Sequence, residues 1–309
     1  MSRPALVCAA ALCALFAGCA EEKRSAPVVQ PEVQTPPPPP APSKPPPPPA
    51  VAPSSGPSIA LLSTEGNVQT LRNGKWTKAK EGELGQDDAL RTDGKGSATV
   101  AIGDSQIVLE QDSQVTVKES ADKVADLQLE KGRVSAELVD DDVTVRIRAA
   151  GSDAVAEAQK GSFSVFSDGH GLVAVASKTG EVKLSGHGGD VVLGAGEQGQ
   201  VVGSNRPEKK KLRKAILLSV VWPGKNQTKA RTTTIRGKSE VGTLVTVNGE
   251  IVPVGADGEF SASVPLDEGK NAFSVTARDL LGREKTETRK INVASDTLNA
   301  KAKTDDLWK

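Results

Sequence analysis

Tyrosine is absent from this chain, which holds only five phenylalanines and three tryptophans. So few flat faces argue against a sugar groove built on stacked rings or a platform for nucleic-acid bases. Neither sign of charge dominates: 39 basic residues balance 39 acidic ones. Bulk attraction to nucleic acid or to an anionic surface is therefore not expected. There are two histidines, His170 and His187, and neither has a second metal-ligating side chain at close spacing. The three cysteines, Cys8, Cys13 and Cys19, all lie at the extreme N-terminus, so the domains that follow contain no disulfide and depend on burial. The longest apolar stretch, Ala5 to Ala17, falls short of the ~20 residues of a spanning helix.

That stretch follows one early cation, Arg3, and ends in Leu15-Phe16-Ala17-Gly18-Cys19. A charged start, a short apolar run and small residues make an export signal, here residues 1–18. The last four of these residues resemble a bacterial lipobox, with Phe16 where leucine is usual. The resemblance implies cleavage between Gly18 and Cys19 and a diacylglyceryl thioether on Cys19; the plainer reading is a signal peptide cut after small residues. Buried acyl chains at ~0.8 kcal/mol per methylene would hold the protein to a membrane permanently. Ala20 resembles the pattern that sorts such proteins to the outer membrane, facing the periplasm. Residues 19–58 carry two proline runs, Pro36–Pro40 and Pro45–Pro49. They read as a disordered polyproline spacer reaching up to ~120 Å, with a ligand for a partner groove as the alternative.

From 59 to 202 the pattern has period two, as in Ser97-Ala98-Thr99-Val100-Ala101-Ile102 and Val143-Thr144-Val145-Arg146-Ile147-Arg148. Such alternation marks half-buried strands. Asn73-Gly74, Asp93-Gly94, Lys131-Gly132 and Asp168-Gly169 read as hairpin turns. The expected fold class is all-β, an antiparallel sandwich or roll. Gly66-Asn67-Val68, Gly74-Lys75-Trp76 and Leu90-Arg91-Thr92, with the later LEKGRVSAEL, AQKGSFSVFSD and VVLGAGEQGQVV, resemble a FecR-type domain. That family implies an extracytoplasmic β domain for sensing or interaction. In iron-citrate regulators it signals through a membrane helix to a sigma-factor-binding segment, parts for which this chain shows no counterpart.

Residues 203–214 are basic, Arg206 to Lys214, and read as a solvated connector, with contact to anionic envelope polymers as the alternative. Residues 215–294 hold about seven short strands punctuated by Asn248-Gly249 and Asp257-Gly258, which fits an immunoglobulin-like sandwich. The segments TIRG, VNG, DGEF, LDEGKN and ARDLLG resemble bacterial Ig-like modules, including those of the glucodextranase-B type. The resemblance implies that Gly237, after Ile235-Arg236, turns the chain and that Asn271 precedes a paired strand. The polar tail 295–309 ends Asp305-Asp306-Leu307-Trp308-Lys309 and reads as disordered or as a docking peptide.

No chemistry declares itself. Gly194-Ala195-Gly196-Glu197-Gln198-Gly199 lies between strands, without the helix start that a phosphate loop needs. Asp140-Asp141-Asp142 lacks the spread of oxygens of a calcium loop. There is no nucleophile elbow. The expectation is an anchored, non-enzymatic envelope scaffold with no cofactor and no metal site, bound to a membrane and to an envelope protein or cell-wall polymer. The rivals are an envelope signal-sensing regulator and an accessory to glycan binding or processing.

Overall fold

The computed structural model describes residues 56–139, 142–223 and 231–293, and every strand or helix assigned in them is a β-strand. No helix among the described residues is long and apolar enough to cross a membrane. The N-terminal domain begins with β1 (Ile59–Glu65), β2 (Val68–Arg72), β3 (Lys75–Lys78), β4 (Gly82–Glu83), β5 (Ala89–Thr92), β6 (Ser97–Ile102), β7 (Ser105–Leu109), β8 (Gln114–Ala121) and β9 (Val124–Leu138). It continues with β10 (Thr144–Ala149), β11 (Val155–Ala158), β12 (Gly161–Ser167), β13 (Leu172–Gly180), β14 (Val182–Gly186), β15 (Gly189–Leu193), β16 (Glu197–Val202) and β17 (Glu208–Lys211). The C-terminal domain holds β18 (Leu218–Val221), β19 (Thr232–Ser239), β20 (Leu244–Val247), β21 (Glu250–Val252), β22 (Glu259–Pro265), β23 (Gly269–Arg278) and β24 (Glu284–Val293).

Alternation sets the buried face. In β6, Ala98, Val100 and Ile102 are buried while Ser97, Thr99 and Ala101 are half-buried. The strands of the first domain form two layers of one hydrogen-bonded network. One layer runs β1-β6-β7-β9-β12-β13-β16-β17, with β4 added along β1. The other runs β3-β2-β5-β8-β9-β10-β11-β14-β15. Between them lies a thin aliphatic core that includes Ile102, Ile107, Leu129, Ile147 and Leu184, with Phe163 its one aromatic among the described residues.

β9 belongs to both layers. Its first half pairs with β8 and β10, and its second half with β7 and β12. Thr144 of β10 lies beside Val124 in the parallel β9–β10 pair. A straight strand would put Leu138 about 45 Å from Val124 at ~3.3 Å per residue, yet the chain from Leu138 to Thr144 reaches at most ~20 Å. β9 therefore folds back over the sandwich. The bend is at Lys131-Gly132, where Gly132 has φ +96° and passes directly over Ser113. Lys131-Gly132 is thus not a hairpin turn but a fold within one strand.

Asn73-Gly74 and Asn248-Gly249 are two-residue hairpin turns with both residues at positive φ, as type I′ requires. Asp168-Gly169 lies in the longer loop joining β12 to β13. Asp93-Gly94 and Asp257-Gly258 do not make hairpins: they carry the chain from one sheet to another, β5 to β6 and β21 to β22. The same two-residue chemistry serves either end because it only reverses the chain; the next strand's apolar face decides the sheet.

The C-terminal domain is an immunoglobulin-like sandwich of β18-β19-β22 over β21-β20-β23-β24. Ile235, Val245, Phe260, Phe273 and Val275 fill its core. Gly237 does not turn the chain. It sits inside β19, and a Cβ there would lie 2.3 Å from Phe260 Cζ, so glycine leaves room for the ring. Asn271 lies at the start of β23, accepting the Asp267 N–H at 2.9 Å and donating to the carbonyls of Asp267 and Gly269.

Candidate functional site

In β13, Leu172-Val173-Ala174-Val175-Ala176-Ser177 is buried at every position. A strand with one wet face buries alternate residues; burial of both faces demands a cover on each. Val173 and Val175 face the sandwich core. Leu172, Ala174 and Ala176 join Val241 and Leu280 of the Ig-like domain in a second cluster, with Phe166, Leu212 and Leu281 against it. The cover includes the tip of the β23–β24 hairpin. Its turn is tied by Asp279, whose Oδ1 accepts the N–H of Leu281 and Arg283 at 3.0 and 2.9 Å and whose Oδ2 accepts Arg283 Nε at 2.7 Å. The small side chains of Ala174 and Ala176 leave depth for Leu280.

Arg133, on the outer face of β9, crosses the joint. Its side chain is 5% exposed, and its guanidinium donates to the carbonyls of Asp279 at 3.0 Å, Arg278 at 3.3 Å, and Gly242. Glu110 stands beside it, accepting Ser135 Oγ at 2.8 Å, with its other oxygen 3.8 Å from Arg133 and 3.6 Å from Arg278. Burial pushes the Arg133 pKa down, opposed by Glu110 and aided by Arg278. Elsewhere in the joint, Gln198 donates to the Val241 carbonyl at 3.1 Å. Lys210 and Arg213 hold Glu240 at 2.7 and 3.3 Å, and Arg283 donates to the carbonyls of Arg213 and Lys214.

The stretch 203–214 is therefore not merely a solvated connector. It contains edge strand β17 and clamps the second domain, so several of its cations already have partners. The outer face of the other layer is also self-neutralised. Arg148 meets Asp126 at 2.7 Å, Arg146 meets Glu157 at 2.9 Å, and Lys183 meets Asp190 at 2.9 Å.

Cys19 and Gly18, the signal segment, the proline runs, Asp140-Asp141 and the tail with Trp308 lie outside the described residues. Asp142, next to that acidic run, lies 3.1 Å from Lys123. Gly194-Ala195-Gly196 is a turn closed by the Glu197 carboxylate on the Gly194 N–H. His170 and His187 are exposed; His187 lies 3.6 Å from the exposed Asp153. No cluster of three or more metal-capable side chains occurs among the described residues. His170→Ala and His187→Ala should each move the denaturant midpoint by no more than about 0.5 kcal/mol equivalent and leave partner recovery unchanged. Lost recovery at an unchanged midpoint would make a histidine part of a site.

A second measurable consequence concerns acid. The Gly194 amide and then Lys209 hold the Glu197 carboxyl below its usual pKa, and Lys183 does the same for Asp190. A depressed native pKa adds stability that is present above the unfolded values, ~4.3 for Glu and ~3.9 for Asp. That stability is lost as pH falls through the native values. Denaturant midpoints should be insensitive to these groups above about pH 5 and fall below it, with a smaller fall in Glu197→Gln. An equal fall in the variant would contradict the role given to Glu197.

The family model Glucodextranase, domain B matches residues 217–295, about a quarter of the chain and nearly all of the Ig-like sandwich. No curated protein matches the chain. Among solved structures, a chain described as an anti-sigma factor from Parabacteroides distasonis is 19% identical with a TM-score of 0.36, over 40% of this chain and 59% of that one. The fibronectin(III)-like modules of CbhA from Clostridium thermocellum are 15% identical with a TM-score of 0.21, over 54% and 87%. A polysaccharide lyase is 14% identical with a TM-score of 0.20, over 78% and 40%. These are loose likenesses of shape.

Proposed function

We propose that this chain is an exported, lipid-anchored, non-enzymatic envelope protein. Cys19 carries the lipid after cleavage at Gly18-Cys19, residues 19–58 act as a spacer, and a FecR-like and an Ig-like domain together form one binding scaffold. The observation that supports it is the joint. Leu280 seated on Ala174 and Ala176, with Arg133 across it, turns two β-sandwiches into one stiff body. A stiff body on a long spacer suits display at a distance from a membrane, and catalysis would not require that arrangement.

Two measurements test this. Cys19→Ala should abolish incorporation of a fatty-acid analogue and release the protein from membranes; equal labelling of variant and wild type would sink the anchor. Cross-linking in the native envelope should recover a recurrent partner bridged to both domains. Release of sugar or peptide fragments on incubation with envelope polymers would instead make the chain an enzyme.

The match of 217–295 to a glucodextranase domain supports a second reading, an accessory that holds glycan beside a processing enzyme. Retention on insoluble polysaccharide, with no protein partner recovered, would favour it over the scaffold.

A further inference from the structure

We propose that Asn73 is a site of spontaneous modification, at which water converts the side-chain amide to aspartate or isoaspartate, and that the fold protects the matching site at Asn248. These two are the asparagines of the chain that precede a glycine. The reaction needs water and nothing else. The glycine nitrogen gives up its proton and bonds to the asparagine Cγ, which closes a five-membered succinimide, and the side-chain nitrogen leaves as ammonia. Water then opens the ring. Attack at the side-chain carbonyl restores the normal peptide bond and leaves aspartate. Attack at the main-chain carbonyl leaves isoaspartate, whose main chain is one carbon longer. Glycine favours ring closure because no Cβ shields its nitrogen.

The two turns match in their local chemistry. Asn73 and Asn248 have φ of 51° and 52°, and Gly74 and Gly249 follow at 73° and 86°. Nothing lies within 4 Å of where a Cβ would stand on either glycine, and both asparagines are exposed. Each turn ends in an edge strand, β3 held by β2 and β21 held by β20. The planar ring cannot form at the left-handed ψ of ~+47°, so each turn must open before the ring closes.

The difference lies in what holds each turn shut. The Asn248 N–H donates to the Ser274 carbonyl at 2.8 Å, and its Oδ1 accepts the Ser274 N–H at 2.9 Å. β23 therefore grips both the main chain of Asn248 and the amide that the glycine would attack. The Asn73 side chain has no hydrogen-bond partner among the described residues. Two hydrogen bonds of ordinary net strength make the protected turn open about 30-fold less often.

Isoaspartate at 73 would also change the hairpin. A two-residue turn that holds Arg72 opposite Lys75 has no room for an extra main-chain carbon. β3 then loosens from β2, and Trp76 loses its place under Arg91, which lies 4.1 Å from the ring centre.

The test incubates the full chain in mildly alkaline buffer made with water enriched in heavy oxygen, so that only residues converted during the incubation carry label. Digestion and mass spectrometry then locate it. Label should enter at Asn73 about 30-fold faster than at Asn248. In guanidinium, where the Ser274 bonds are gone, the two rates should become alike. Equal rates in the native protein would overturn the proposal, as would an Asn73 that takes up no label. A gap that survives in guanidinium would assign the difference to the flanking residues and equally overturn protection by the fold. Brief trypsin treatment should cut protein aged at residue 73 after Lys75 and Lys78 faster than it cuts Asn73→Asp, which carries the new charge on a main chain of normal length. Equal cutting would overturn the loosening of β3.

Discussion

Arg133→Ala should split the unfolding of this protein into two transitions. In the unaltered protein the guanidinium ties β9 to the carbonyls of Gly242, Arg278 and Asp279. The alanine variant leaves those carbonyls in a buried site without their donor and leaves Glu110 with Arg278 as its remaining ion-pair partner. Breaking a buried charged network by removing one member costs about 3–5 kcal/mol. That loss falls on the joint, because the carbonyls that the Arg133 guanidinium meets all belong to the second domain. The expected result in denaturant is one cooperative loss of far-UV signal for the unaltered protein and two separated losses for the variant. Arg133→Lys should behave nearly as badly, since one ammonium cannot reproduce a planar fork spread over several carbonyls. A single transition within about 0.5 kcal/mol of the unaltered protein would show that the apolar cluster alone holds the domains.

Gly132→Val should prevent the first domain from folding. At φ +96° a β-branched residue is strained, and the added Cβ would lie 2.4 Å from Ser113 Oγ and 2.5 Å from Ser113 Cα. Ser113 Cα and the Asp112 carbonyl oxygen, at 2.5 and 2.7 Å, are backbone and cannot step aside. Ser113 is itself held by the Thr92 hydroxyl on its N–H, and its own hydroxyl donates to the Arg133 carbonyl. The bend also carries β9 from one layer to the other, so both halves of the network would lose register. The expected cost exceeds ~4 kcal/mol, seen as loss of soluble protein or of the first domain's transition. Gly74→Ala is the control. Gly74 also has positive φ, but nothing lies within 4 Å of the added carbon, so the cost should stay near ~1 kcal/mol. Equal behaviour of the two variants would remove the special role of the bend.

These two positions show where reading along the chain stops. Lys131-Gly132 has the composition of a turn, and a turn between two strands was the natural expectation. The fold-over within β9 follows only from the parallel placement of Thr144 beside Val124. Gly237 likewise looks like a turn glycine until the ring of Phe260 is placed over it. Arg133 gave no sign of its role in LEKGRVSAEL, because the carbonyl it meets on Asp279 lies 146 residues away. One signal was present: Leu172-Val173-Ala174-Val175-Ala176 is apolar at every position, which says that both faces of that strand are covered. It does not say by what.

The sequence alone determined the all-β class, the two-residue hairpins at Asn73-Gly74 and Asn248-Gly249, and the immunoglobulin-like character of the second domain. Each of these depends on neighbours a few residues apart, where sterics and the period of side-chain burial are local properties. Which turns join strands and which cross between sheets was decided by the tertiary structure alone. So were the fold-over of β9, the use of basic residues near 210 as a clamp, and the joint around Arg133. Those outcomes rest on contacts between residues far apart in the chain, and a side chain's type does not encode which distant surface will remove it from water.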